Sequence, residues 1–151
     1  MKLRYFILLY LFMLATLPYP EQLAAGKNYP AWHCLIYMFG HAGILHYLLN
    51  GIGWLMMWKI ATWPRTIIAW LVAALSVYIL MPDKAVLGWS SVIYFYLGMT
   101  LAHSGRQRKI SLILLTLTGM FIPGIAAALH LSTLAAGWIY RKIERRWEMT
   151  Y

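Results

Sequence analysis

The feature that most constrains this chain is a succession of apolar runs, each interrupted only by a short cluster of charge, proline or glycine. Cutting at those interruptions gives runs at Tyr5–Leu17, Ile44–Trp58, Thr66–Met81, Ser90–Ala102, Ile110–Ile122 and Gly124–Tyr140. Hydrophobic residues make up 62% of the 151 and charged residues 11%, with a mean hydropathy of +0.64. A soluble domain could not hide that much apolar surface. The runs lack the strict alternation of a membrane barrel, so helices that satisfy their own backbone are favoured. The expected architecture is a single-domain, all-α integral membrane protein with six transmembrane helices. Several runs are shorter than the roughly 20 residues of a perpendicular span, so their ends extend into the flanks or the bilayer is locally thin.

Charge tests the count. With the N-terminus in the cytoplasm and the sides alternating, the inner segments carry Lys2, Arg4, Lys59, Arg65, Arg106, Arg108, Lys109, Arg141, Lys142, Arg145 and Arg146. The outer segments keep only Lys27 and Lys84, so eleven of the thirteen basic residues face inward, as the positive-inside rule requires. Both termini are then cytoplasmic, and Pro123-Gly124 is a turn between two short helices. The net charge of +9 is explained by this asymmetry and calls for no nucleic-acid partner. Lys2 and Arg4 ahead of Tyr5–Leu17 resemble a signal peptide. The run ends in Pro18-Tyr19-Pro20-Glu21 rather than in a small-x-small cleavage site, so a retained first helix is expected. The single cysteine, Cys34, cannot form an intrachain disulfide and is expected to be an apolar filler.

Ionisable groups inside a membrane are costly and usually functional. The polar side chains that stand out here are His41, His46 and Asn50 at the outer end of the second run, Ser90 opening the fourth, and His130 in the sixth. His130 lies 11 residues before Arg141 and Ser90 lies 16 before Arg106. At the helical rise this is about 16 Å and about 24 Å above the inner end, the outer half in both cases. His46 and Asn50 are i,i+4 and share a face. Ser90, Tyr94 and Gly98 form one stripe, and His130, Thr133 and Gly137 another, with Ala126, Ala127, Ser132 and Ala136 letting helices approach closely. A serine hydroxyl becomes a useful nucleophile when a base takes its proton, and histidine is the usual base. An asparagine amide, an imidazole N–H and the backbone N–H at a helix start can each hold an oxyanion. Ser91, about 100° further round its helix, is expected to face a neighbouring span.

These residues resemble a known family. His41-Ala-Gly-Ile-Leu-His46-Tyr-Leu-Leu-Asn50 is similar to the H-x4-H-x3-N motif of rhomboid intramembrane serine proteases. Gly88-Trp-Ser90-Ser91-Val-Ile-Tyr94-Phe-Tyr-Leu-Gly98 resembles their G-x-S-G-x-x-Y-x-x-x-G motif, and His130-Leu-Ser-Thr-Leu-Ala-Ala-Gly137 their H-x-x-G-x-x-x-G motif. The three occur in family order on the second, fourth and sixth runs, so the resemblance spans the bare six-helix core. It implies Ser90 as nucleophile and His130 as base, a dyad without an acid, and Tyr94 orienting His130. It also implies an oxyanion hole of His46, Asn50 and the Ser90 N–H, His41 pinning the outer loop, and Gly88, Gly98 and Gly137 permitting close backbone approach. Two positions depart from the motifs: Ser91 and Thr133 stand where the family has glycine. The first outer segment, about Pro18–Gly40, is short and has no clear Trp-Arg pair.

The resemblance further implies cleavage of single-pass membrane proteins near the outer surface, with the lipid bilayer and transmembrane substrates as partners and no cofactor. The expected location is a bacterial cytoplasmic membrane. Two other classes compete: an inactive rhomboid-like protein that binds membrane helices, and a haem protein with His46 and His130 as axial ligands. The first typically loses the serine or histidine; the second explains neither Ser90 nor Asn50. His41 and His46 lack a third partner for a metal site. His103 is expected to anchor at the inner interface, and His33 beside Cys34 is a weak candidate for metal or thiol chemistry.

Overall fold

The computed structural model describes residues 3–80, 83–105, 110 and 127–148. Among the described residues the chain is all-helical. The helices are α1 (Leu3–Ala15), the single turn α2 (Pro20–Leu23), α3 (Ile44–Met57), α4 (Trp63–Leu80), α5 (Ser90–His103) and α6 (Ala127–Glu148). The segment between α2 and α3 holds two 3-10 turns, Ala31–Leu35 and Tyr37–Phe39. Each described apolar run becomes a helix, with its ends displaced for local reasons. α4 starts at Trp63 rather than Thr66. Pro64 falls in the first turn, where a missing N–H costs nothing, and the Thr62 hydroxyl accepts the Arg65 N–H at 3.4 Å. α6 continues past Tyr140 to Glu148 because Arg141 pairs with Glu144 and Glu148 along the same face. The run Ile110–Ile122, apart from helical Ile110, and the start of the last run at Gly124–Ala126 lie outside the described residues.

α5 is the hub. Val92, Phe95, Tyr96, Gly98 and Met99 are buried on it, and it packs against α6, α3 and α4. The Tyr96 hydroxyl lies 2.7 Å from Thr66 Oγ1 on α4. α1 is fastened to α3 by a reciprocal pair: the Tyr10 hydroxyl donates to the Tyr47 carbonyl at 3.0 Å and the Tyr47 hydroxyl to the Tyr10 carbonyl at 3.1 Å. The two rings stack at 4.2 Å. Trp70 of α4 reaches the Leu35 carbonyl at 2.8 Å, which ties the irregular segment to the bundle.

Apolar side chains fill the core and also cover much of the outer surface, while several polar ones are buried. Asn50, Thr66, Ser91, His130 and Thr133 are buried, while Leu45, Leu48, Leu49, Ile52, Leu55 and Met56 of α3 face outward. Ile67, Leu71, Leu75 and Ile79 do the same on α4. α4 is long and apolar enough to cross a membrane, and α3 is apolar but shorter.

Candidate active site

The close crossing of α5 and α6 is set by two glycines. A Cβ on Gly98 would collide with the Leu134 carbonyl and lie 2.9 Å from the Trp138 nitrogen; one on Gly137 would collide with the Phe95 carbonyl. With backbones in direct contact, side chains one or two turns away on the facing stripes are brought within bonding distance. Ser90 Oγ lies 2.8 Å from His130 Nε2. The Tyr94 ring, one turn after Ser90, stacks on the His130 imidazole at 4.1 Å with the planes 5° apart. His130 is buried, whereas Ser90 is only half-buried and remains reachable. His130 Nδ1 is buried with no hydrogen-bond partner among the described residues. The geometry is that of an imidazole positioned by stacking and able to accept the serine proton at Nε2.

Thr133, which replaces a glycine of the motif, is accommodated without separating the helices. Its hydroxyl folds back onto its own helix, donating to the Leu129 and His130 carbonyls at 3.1 Å each.

The third strip of the site comes from α3. The Ala42 N–H donates to His46 Nδ1 at 3.2 Å. In a neutral imidazole an accepting Nδ1 places the proton on Nε2, so His46 presents a donor there. Asn50 uses one amide hydrogen on the His46 carbonyl at 3.1 Å and keeps the other. Both side chains close on Gly88: a Cβ at that position would lie 2.6 Å from His46 Nε2 and 3.2 Å from Asn50 Nδ2. Gly88 also has φ of +104°, a conformation side chains resist, so it is glycine for two separate reasons. The turn Gly88-Trp89 then delivers Ser90 as the first residue of α5. The intrahelical bonds begin with Val92 and Ile93 donating to Trp89. The Ser90 N–H is therefore one of the free donors at a helix start, where the partial charge is positive. His41 is fully buried, and its ring meets those of His46 and Tyr47 edge-on at 5.2 and 5.5 Å. The end of the irregular segment is thereby held against the first turns of α3.

One expectation is corrected. Ser91 faces not a neighbouring span but the irregular segment, where the Tyr37 hydroxyl donates to its Oγ at 3.0 Å. The Tyr37 carbonyl also accepts the Gly88 N–H at 3.1 Å. Tyr37, fully buried, therefore grips the chain on both sides of Ser90. Sequence reading missed it because the contact joins residues 54 apart; the polar residue at a glycine position was its only signal. An antiparallel bridge between Ala25 and Val86 secures the same segment further out. His33 is occupied by the Ala24 carbonyl at 2.7 Å from Nδ1. Burial pushes the Cys34 thiol up from its ordinary value, the opposite of an activated thiolate. His103 ends α5, exposed at the far end from Ser90.

No protein-family model matches the chain, and no curated protein is significantly similar to it.

Proposed function

We propose that the chain is a six-span intramembrane serine protease of the rhomboid type, with both termini cytoplasmic, that cuts transmembrane proteins near the outer membrane face. The observation that carries the reading is the 2.8 Å approach of Ser90 Oγ to His130 Nε2 across a glycine-lined helix crossing. The outward-facing apolar residues of α3 and α4 suit a lipid surround. The three motif segments, far apart in sequence, converge at one end of the bundle.

The chemistry follows from the positions. His130 Nε2 takes the Ser90 proton as Oγ attacks the scissile carbonyl. The oxyanion that develops is held by His46 Nε2–H, the remaining Asn50 amide hydrogen and the Ser90 N–H. His130 then returns the proton to the leaving amine, leaving an acyl-enzyme. A water, deprotonated by His130, hydrolyses the ester and regenerates Ser90. Stacking on Tyr94 fixes the ring plane, the part an acidic residue plays in a triad.

A fluorophosphonate, which modifies activated serines, tests the reading. It should label Ser90 in the wild-type protein, and His130→Ala should abolish most labelling although Ser90 remains. A folded wild-type protein that resists labelling and leaves a transmembrane substrate intact would defeat the enzyme reading and favour a helix-binding pseudoprotease.

A further inference from the structure

At the end of the bundle opposite Ser90, a cavity of about 560 Å³ opens between the last turn of α3, the first turn of α4, the end of α5 and α6. It lies beyond the reach of the dyad: α5 runs from Ser90 to His103, about 20 Å at the helical rise. Its size is that of a ligand site, and its lining is of two kinds. Met56, Met57 and Met99 supply an apolar, adaptable wall, while Lys59, Arg65 and Arg141 supply the charge. No carboxylate lines it among the described residues.

The charges are partly compensated from behind. Arg65 gives Nε to Glu144 and Nη1 to the Ile60 carbonyl, and Arg141 gives Nη1 to Glu144 and Glu148. A guanidinium has five N–H donors, so both keep donors to spare. Three cations against these two carboxylates leave one positive charge, and among the described residues Lys59 has no acidic partner. Among the described residues, one uncompensated cation, spare guanidinium donors and a methionine wall match one phosphodiester attached to an apolar body. We propose that this cavity binds the headgroup of an anionic phospholipid, its phosphate against Lys59, Arg65 and Arg141 and its glycerol and upper acyl carbons against the methionines. The inference rests on the membrane reading above but not on the protease reading. It follows the general behaviour of basic pockets between helices at the cytoplasmic surface. A free phosphate would use the cations and leave the methionine wall unfilled, which is why the lipid is the better match.

The test is native mass spectrometry of the purified full chain mixed with equal amounts of phosphatidylglycerol and phosphatidylcholine of matched chains. Phosphatidylglycerol should be retained preferentially. Lys59→Gln should cut that retention about fivefold, the weight of one cation near an anionic headgroup. Lys142→Gln, an exposed cation of α6 outside the cavity, should leave it unchanged. Equal retention of the two lipids, or equal loss in both variants, would overturn the proposal in favour of diffuse surface charge. Displacement of the lipid by millimolar inorganic phosphate would overturn it in favour of a soluble-phosphate site. Vesicle flotation is run alongside: a chain that does not float fails the membrane reading, whereas one that floats without lipid preference fails this inference alone.

Discussion

At the scale of single residues, the site divides into groups legible in the sequence and groups that are not. Ser90, His130, His46 and Asn50 stand out because each is a costly polar group in an apolar run, and the structure brings Ser90 onto His130 and both α3 side chains onto Gly88. Removing one oxyanion donor typically costs about 10²–10³ in rate. On the mechanism proposed above, His46→Ala and Asn50→Ala should each lower kcat by up to that factor, less where the remaining donors compensate, with KM little changed because the proposed donors would act on developing charge. A His46→Ala/Asn50→Ala double variant that cleaves at the wild-type rate would remove both from the mechanism. Tyr37 was not legible, since nothing local marks a loop tyrosine as the partner of a residue 54 positions away. Its hydroxyl and Ser91 Oγ satisfy each other in a buried setting, so truncating either strands the other at a cost of about 1–3 kcal/mol. Tyr37→Phe and Ser91→Ala should therefore each lower stability, and the double variant should lose less than the sum of the two. Strict additivity in that cycle would mean that the pair is not coupled. Ser91→Ala should still be labelled at Ser90, because its side chain points away from the dyad.

At the scale of elements, hydropathy placed the described helices well and their ends poorly. Apolar runs report where lipid or core is wanted, whereas helix ends depend on caps and charge pairs that a hydropathy cut reads as interruptions. α6 is the plain case: Arg141–Arg146 looked like a cytoplasmic tail, yet the helix continues through them to Glu148. Pairing makes the continuation stable. Glu144 receives Arg65 of α4 at 2.9 Å, Arg141 and the Tyr140 hydroxyl, fastening the start of α4 to the end of α6. Burial pushes the Glu144 carboxyl up, but Arg65 and Arg141 more than offset it, and the balance lies below the ordinary value of 4.5. A carboxyl depressed in the folded state stabilises above its unfolded pKa and loses that contribution as pH falls through the folded one. Thermal unfolding followed against pH should show the wild type losing stability below about pH 4.5, and Glu144→Gln should flatten that part of the profile. At neutral pH the variant should melt lower, by about 2–4 °C for each kcal/mol lost. An unchanged acid limb in the variant would show that Glu144 is not the group responsible.

At the scale of the whole molecule, the same clamp fixes which helix ends lie together, and the proposed topology assigns that end a side from its charge. The Arg65–Glu144 pair puts the start of α4 and the end of α6 at one end of the bundle, together with Lys59 and the cavity. Lys142, Arg145 and Arg146 follow on α6 at that end. α4 runs from Trp63 to Leu80, about 27 Å at the helical rise, so the segment after it emerges at the opposite end. There the basic residues are Lys27, which pairs with Asp83 at 3.4 Å, and Lys84. On the topology proposed above, the positive-inside rule would place the basic end in the cytoplasm and Ser90 and His130 in the outer half. Reporter fusions after Trp63, after Gln107 and after Glu148 should therefore read cytoplasmic, and a fusion near Asp83 external. The same reading at Trp63 and Asp83 would show that α4 does not cross. An external reading after Gln107 together with a cytoplasmic one after Glu148 would leave an odd number of crossings between them. That would contradict the pair of short helices expected between Ile110 and Tyr140, while leaving the Ser90–His130 contact and its labelling test untouched.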